Sequence, residues 1–171
     1  TNPLEMAQAY ATFANGGIMP KAHLIKRIET ANGKVVKKFT QNAKRIISQS
    51  VANKMTSMML GTFSNGTGVN ANVYGYTLAG KTGTTETDFN ANLASDQWVI
   101  GYTPDVVISQ WVGFNKTDES HYLSDSSAGT ASYIFSTQAS YILPYTKGSQ
   151  FKVENAYSAD GIDSVYNPTD S

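Results

Sequence analysis

The sequence of 171 residues contains no cysteine and only two histidines. The absence of thiols excludes disulfides, cysteine nucleophiles and cysteine-based zinc sites. His23 and His121 are far apart and do not match the spacing of common zinc motifs, so no metal site is predicted. No apolar run approaches the ~18 residues that a membrane-spanning helix needs. The chain also lacks an initiator methionine and opens at a helix start, which predicts a piece of a longer protein.

The net charge is zero, but the charges are distributed unevenly. Residues 1–54 carry nine lysines and arginines against two acids, whereas residues 55–171 carry four against eleven. The basic excess between Lys21 and Lys54 is interpreted as the solvated face of a hairpin, with contact to an anionic membrane or wall polymer as the alternative. The basic residues form no recognisable binding motif and are not interleaved with aromatic residues, so nucleic acid is not a predicted partner.

The first third of the chain predicts a helix, a hairpin and a second helix. Asn2 and Pro3 are typical of a helix start, Glu5 completes a capping box, and Gly16-Gly17 ends the helix. Asn32-Gly33 lies between two β-rich runs and predicts a tight hairpin turn. A helix with a methionine-rich apolar stripe then runs from a cap at Ser48 or Ser50 to about residue 63.

The rest of the chain predicts three strands and a helix. A strand at 76–86 is followed by two runs, 96–102 and 106–114, with a turn at 103–105 between them. Alternate residues on both sides of this hairpin are apolar, which is typical of a sheet covered on both faces. A helix is predicted over 127–143. The fold class is therefore α+β, with helices on both sides of an antiparallel sheet.

The run "LAGKTGTTE", residues 78–86, carries the candidate site. In a strand, Lys81 and Gly83 project to one face and Thr82 and Thr84 to the other. Gly83 lets another backbone approach closely, and an edge strand can pair with an extended peptide. Threonine hydroxyls and the lysine can bind a carboxylate, and a backbone N–H can stabilise a developing oxyanion.

Three blocks together suggest a family: "TNPLEMAQAYATFANGG", "LAGKTGTTE" and "DQWVIGYTPDVVISQWVGF" occur in this order. The chain resembles the C-terminal part of the transpeptidase domain of class A penicillin-binding proteins, the bifunctional enzymes that build peptidoglycan, and the likeness is greatest to streptococcal members. It extends to about residue 155, so residues 1–155 are predicted to be the domain part and 156–171 a polar tail. The family implies the fold shared by β-lactamases and these transpeptidases, of which this chain holds the C-terminal portion.

The resemblance assigns roles to the K-T-G motif, which is the third of the family's motifs. Lys81 would support the hydrogen-bond network around the serine of the second motif. The hydroxyls of Thr82 and Thr84, beside Gly83, would hold the carboxylate of a β-lactam or substrate. The main-chain N–H of Thr84 would form half of the oxyanion hole. The family needs neither a metal nor an organic cofactor.

The chain departs from the family because nothing before Lys81 matches S-x-x-K or S-x-N. Ser50 and Lys54 are one residue too far apart, and Ser149–Lys152 matches S-x-x-K only in letters, after the third motif. We therefore expect the nucleophile, its lysine and the second-motif serine on a companion N-terminal polypeptide. That part would also carry the glycosyltransferase domain and the anchor that holds the enzyme at the extracytoplasmic face of the plasma membrane.

The function implied is that of a serine D,D-transpeptidase. Its serine would attack the D-Ala-D-Ala carbonyl of a peptidoglycan stem peptide, form an acyl-enzyme and pass the acyl group to a neighbouring stem, and β-lactams would acylate the same serine. The alternatives are a hydrolase, either a D,D-carboxypeptidase or a β-lactamase, and a non-catalytic β-lactam sensor with the same fold. A third alternative is a structural module with an accidental K-T-G, which would bind neither stem peptides nor β-lactams.

Overall fold

A computed structural model describes residues 1–40 and 42–153. In these residues the fold consists of a three-stranded sheet, three helices and a basic β-hairpin region. The elements in chain order are α1 (Pro3–Ala14), β1 (Ile18–Pro20), β2 (Arg27–Glu29), β3 (Val35–Lys38), β4 (Ala43–Arg45), α2 (Gln49–Ser64), β5 (Ala79–Glu86), β6 (Ala94–Tyr102), β7 (Val107–Gly113) and α3 (Ser132–Ile142). Short 3₁₀ turns at Val69–Ala71 and Leu143–Tyr145 and a π turn at Ser127–Ala131 connect or extend them.

The central sheet has the order β5-β6-β7 with antiparallel pairing throughout, as the short connections predicted. Val99 and Ile108 face a cluster that includes Phe63 and Phe135, whereas Tyr102 faces a second cluster with α1 on the other side of the sheet. Apolar residues on both faces are therefore buried under helices. The predicted α+β class, with helices on both sides of the sheet, is confirmed.

Helix α1 begins where its sequence predicted. The side chain of Asn2 accepts a hydrogen bond from the Glu5 amide at 3.0 Å, and Pro3 occupies the first turn, where its missing N–H costs nothing. Helix α2 has the same kind of start, because the Ser48 hydroxyl accepts from the Val51 amide at 3.2 Å. Of the two serines considered as its cap, Ser48 is therefore the one used.

The basic hairpin is formed by β2 and β3, and Asn32-Gly33 lies in its turn as predicted. Of these two residues, only Gly33 has a positive φ, of 82°; the Gly33 amide donates to the Thr30 carbonyl and the Thr30 amide donates to the Lys34 carbonyl. This pattern is a type I turn followed by a left-handed glycine, the usual three-residue hairpin loop. The short β1–β4 pair that precedes α2 was not predicted, since its three-residue strands carry no clear alternation.

The predicted helix over 127–143 is divided. Residues 127–131 form the π turn, in which Gly129 has φ −91° and ψ −117°, and the regular helix begins at Ser132. The strand predicted at 76–86 begins instead at Ala79. The proposed tail, 156–171, lies outside the described residues, and the boundary at 155 stays a prediction. Among residues 1–40 and 42–153, no helix combines the length and hydropathy needed to cross a bilayer.

Tyr102 connects the sheet to the helices on its α1 side. Its side chain is fully buried, and its hydroxyl shares a 2.9 Å hydrogen bond with that of Thr56 on α2. Burial raises the pKa of Tyr102, so the phenol remains neutral in the core. The rings of Tyr10 and Phe151 pack against it from α1 and from the segment after α3.

Gly101 provides a test of this packing. A Cβ at Gly101 would lie 2.6 Å from Cζ of Phe135 and 3.0 Å from Cζ of Phe63. We expect Gly101→Ala to lower the free energy of unfolding by about 1–3 kcal/mol, the usual cost of overpacking. Urea unfolding followed by circular dichroism measures the change. Gly83→Ala is the matched control, because its Cβ would meet only Trp98 at 3.6 Å. Equal stability of both variants would contradict the packing described.

Candidate functional site

Strand β5 carries the K-T-G residues, and its alternation matches the prediction. It pairs with β6 in a register that places Lys81 opposite Ile100, Thr82 opposite Val99 and Gly83 opposite Trp98. Lys81 is exposed and Gly83 half-buried on one face, whereas the side chain of Thr82 is buried on the other. Because the sheet order is β5-β6-β7, β5 is an edge strand within the described part of the chain.

The hydrogen-bond ladder determines which backbone groups of β5 point outward. The Thr103 amide donates to the Val106 carbonyl at 2.9 Å, so this pair closes the β6–β7 hairpin. Antiparallel ladders alternate between bonded and non-bonded pairs. The register therefore directs the backbone groups of Trp98, Ile100 and Tyr102 towards β5. It follows that the amides and carbonyls of Gly80, Thr82 and Thr84 lie on the outer edge.

Two side chains already contact this outer edge, as the alternation requires. The Thr62 hydroxyl on α2 donates to the Gly80 carbonyl at 2.7 Å. The Lys81 ammonium donates to the Thr82 carbonyl at 2.8 Å. Helix α2 and the Lys81 side chain thus occupy the first part of the edge, and the outward amide of Thr84 lies beyond them. The open part of the edge therefore begins directly after the K-T-G motif, at Thr84.

Lys81 has hydrogen-bonding capacity to spare. An ammonium has three donors, and in the described residues its one recorded acceptor is the Thr82 carbonyl. No acidic side chain among residues 1–40 and 42–153 forms an ion pair with it. An exposed cation without a carboxylate partner, next to outward backbone N–H groups, is suited to attract an anion.

The two threonine hydroxyls predicted to bind a carboxylate already have protein partners. The hydroxyl of Thr82 bonds to that of Thr67 in the loop after α2, with either oxygen able to donate. The hydroxyl of Thr84 donates to the Ser127 hydroxyl at 2.8 Å and accepts from the Ser127 amide at 3.0 Å. Thr82 can offer a proton to a ligand if Thr67 donates to it, whereas the proton of Thr84 is used in this arrangement.

Gly83 is not required by the fold. Its φ is not positive, and an added Cβ would make only an ordinary contact, 3.6 Å, with Cβ of Trp98. By contrast, a Cβ at Gly80 would lie 1.9 Å from the Ile100 carbonyl oxygen, so close packing requires that glycine. Internal packing therefore does not require a glycine at position 83.

Comparisons with known proteins identify the family of this chain. A family model described as the penicillin binding protein transpeptidase domain matches residues 1–137. The chain belongs to this transpeptidase family. Penicillin-binding protein 2a of Streptococcus pneumoniae strain D39 is 61% identical over 162 residues, which is 95% of this chain and 22% of the relative. Penicillin-binding protein 1A/1B of Bacillus subtilis is 37% identical over 125 residues, 68% of this chain and 14% of the relative.

Solved structures of penicillin-binding proteins share the fold. The penicillin-binding protein PonA1 from Mycobacterium tuberculosis superposes with a TM-score of 0.73 at 31% identity, covering 88% of this chain and 40% of that one. The same protein has been solved in complex with penicillin V. The chain thus spans about a fifth of the length of its streptococcal relative and is a part of a transpeptidase domain. The resemblance to class A penicillin-binding proteins is confirmed.

Three residues that support the K-T-G strand were not predicted from the sequence. Thr67 and Ser127 bond to the two threonine hydroxyls across 15 and 43 residues of sequence, and Asp125 organises the turn that holds Ser127. None of the three belongs to a recognised motif. Only the three-dimensional pairing identifies them. Among the described residues, no group of three or more His, Asp or Glu side chains could hold a metal ion.

The S-x-x-K run at Ser149–Lys152 has a structural role, because Ser149 bonds to the β6–β7 turn. The hydroxyl and amide of Ser149 donate to the Asp105 carboxylate at 2.6 and 2.8 Å. Asp105 lies in the β6–β7 turn, at the end of the sheet where β5 begins and not at the end where Thr84 lies. Hydrogen bonds from Ser149 lower the pKa of Asp105. Ser149 therefore fastens the segment after α3 to the turn.

Ser149→Ala tests this role. The hydroxyl makes the largest contribution to the lowered pKa of Asp105, so we expect that pKa to rise towards its ordinary value. Titration of the Asp105 carboxyl by NMR measures the change. A carboxyl with a lowered folded pKa adds stability above its unfolded pKa and loses it as the pH falls, so the variant should lose this acid-sensitive contribution. Unchanged titration would contradict the contact.

Proposed function

We propose that this chain forms one wall of the substrate cleft of a serine D,D-transpeptidase that cross-links peptidoglycan stem peptides. The observation that carries the proposal is the open outer edge of β5 at Thr84, next to the cation of Lys81 and the bare backbone of Gly83. An extended peptide can add to such an edge through main-chain hydrogen bonds. Membership of the transpeptidase family supports the proposal that this peptide is a peptidoglycan stem peptide.

The proposal gives each residue of the motif a role that its place on the strand supports. The outward N–H of Thr84 would donate to the oxyanion that forms when a serine attacks the D-Ala-D-Ala carbonyl, a contact worth about 3–4 kcal/mol when well placed. Lys81 would supply positive charge to the second-motif serine and to the substrate carboxylate. The hydroxyl of Thr82 would donate to that carboxylate while accepting from Thr67.

Acyl transfer would proceed in two steps. The serine oxygen adds to the carbonyl carbon, the C–N bond to the terminal D-alanine breaks, and the released amine takes up the proton that the serine gave to its base. An amine from a neighbouring stem then attacks the ester, releases the serine and forms the cross-link. β-Lactams would acylate the same serine through opening of their ring.

The groups that complete this site would come from a companion polypeptide. The chain has no S-x-x-K or S-x-N before Lys81. We propose that a preceding segment supplies the nucleophilic serine, its lysine and the second-motif serine, together with a peptidoglycan glycosyltransferase domain. An anchor in that segment would hold the enzyme at the extracytoplasmic face of the plasma membrane. Intact-mass measurement of the purified protein tests whether such a polypeptide accompanies this chain.

Lys81→Ala tests the central assignment. In the enzyme that includes the preceding motifs, we expect β-lactam acylation to slow at least about 100-fold, the scale of losing one preorganised electrostatic contact. Stopped-flow measurement with a fluorescent penicillin gives the rate. Lys116→Ala, at a lysine in the loop after β7, is the control and should leave the rate unchanged. A wild-type rate in Lys81→Ala would remove the role of the ammonium.

Thr82→Val tests carboxylate recognition. Valine keeps the shape of threonine but cannot donate, so we expect about tenfold weaker binding of a β-lactam, the cost of losing one hydrogen bond to a charged group. The methyl ester of the same β-lactam is the control ligand, since it lacks the anion. If the ester lost as much affinity as the acid, the hydroxyl would have another function.

A further inference from the structure

A groove lies between helix α1 and the basic hairpin of β2 and β3. Its volume is about 940 Å³. Helix α1 lines it through Leu4, Ala7 and Ala11, together with residues within 20–27 and 38–39 and with the turn 104–107. No residue of β5 lines it, and the turn 104–107 lies at the end of the sheet opposite to Thr84. This basic groove is therefore separate from the candidate site.

Positive charge dominates the lining of the basic groove. The cations that line it are Lys21, Lys26, Arg27 and Lys38, against one acid, Asp105. Arg27 is paired with Glu29 on its own strand, with 2.6 Å between Nε and Oε1. Within residues 1–40 and 42–153, no acidic side chain forms an ion pair with the three lysines. A groove lined by charge of one sign attracts ligands of the opposite sign.

The fold does not need these cations. Every residue of β2 and β3 is exposed, so the hairpin buries no side chain in the core. Arg27 lies directly opposite Lys38 in the register of the two strands. Like charges in directly opposite positions destabilise a sheet. An anion bound beside Arg27 and Lys38 would relieve that repulsion, whereas the empty groove gains nothing from it.

The hydrogen-bonding groups of the groove indicate the chemistry of its ligand. Each lysine ammonium offers three donors and no acceptor. The side chains of Gln8 and Asp105 could accept from a ligand, but Gln8 already accepts from the Ala22 amide at 2.7 Å and Asp105 from Ser149. A bound peptide would bring an N–H for each carbonyl, and these N–H groups would need acceptors. A phosphodiester chain brings charged acceptors and few donors, so it fits the groove better.

The shape of the groove favours a linear chain over a flat surface. A bilayer can reach only the rim of a concave groove, whereas an extended polymer can lie along its floor. Leu4, Ala7 and Ala11 follow one another at helical spacing and form an apolar stripe of about 10 Å along α1. Carbon units between two phosphates can pack on this stripe while the phosphates contact the lysines.

We propose that the basic groove binds a linear anionic polymer with phosphate groups in its backbone, the chemistry of an anionic wall polymer. The polymer contacts the enzyme at a distance from the strand that carries the K-T-G motif. Binding therefore holds the enzyme on the polymer and leaves its reaction with β-lactams unchanged. The inference does not rest on the proposed function, because no residue assigned to acyl transfer takes part.

The test measures binding of a labelled glycerol-phosphate oligomer by fluorescence anisotropy, with the enzyme that includes the preceding motifs. We expect Lys21→Gln combined with Lys38→Gln to raise the dissociation constant about fivefold, the scale of two exposed ion pairs. Lys34→Gln combined with Lys44→Gln is the matched control, since it removes the same charge from residues that do not line the groove. The control should change the dissociation constant less than about twofold. Added salt should weaken binding of wild type through screening.

Three competing ligands distinguish the polymer from other anions. Polyglutamate of equal charge represents an acidic peptide, vesicles of phosphatidylglycerol and phosphatidylcholine represent a bilayer, and inorganic phosphate represents an isolated anion. At equal concentrations of negative charge, we expect each to compete less well than unlabelled oligomer. Equal or better competition by any of the three overturns the assignment to a phosphate polymer.

The remaining outcomes are equally direct. The proposal is wrong if wild type does not bind the oligomer, or if the two double variants lose the same affinity. It is also wrong if this chain alone binds but the enzyme with the preceding motifs does not, since the preceding segment would then cover the groove. Acylation by a fluorescent penicillin, measured on the same samples, tests the proposed function separately. If acylation fails while the groove binds, that function fails and this inference stands.

Discussion

The pairing of β5 with β6 is the constraint on which the site depends. The register of this pairing directs the backbone amides and carbonyls of Gly80, Thr82 and Thr84 away from β6. A shift of the register by one residue would instead direct those of Lys81 and Gly83 outward. The same shift would move Lys81 to the face where Thr82 is now buried. Residues that fix this register, such as the buried Tyr102 opposite Ala79, therefore support the site from a distance.

The hydrogen bonds of the Thr82 and Thr84 hydroxyls are a second constraint on the site. Thr67 and Ser127 reach the strand from two different loops, one after α2 and one before α3. Each threonine side chain is thus held by a hydrogen bond to its partner. Side chains that are already ordered lose less entropy on binding than side chains that rotate freely.

The sequence predicted those features that local chemistry determines. The caps at Asn2 and Ser48, the strand alternation around Lys81 and the two apolar sides of the β6–β7 hairpin were all readable, because each depends on residues a few positions apart. The turn at Asn32-Gly33 was placed correctly, but its type was not predicted, since Asn-Gly suits more than one loop length. Thr67, Ser127 and Asp125 were not found, because their importance comes from contacts across the fold. The roles assigned to Lys81, Gly83 and the two threonines stay predictions.

Helix α2 and Lys81 also affect how the edge of β5 can pair with other chains. An uncovered edge strand offers a template on which other chains can pair and aggregate. Here the Thr62 hydroxyl bonds to the Gly80 carbonyl and the Lys81 ammonium to that of Thr82, so two outward carbonyls of β5 already have donors. These two contacts leave fewer backbone groups on which a strand of another chain can form a ladder.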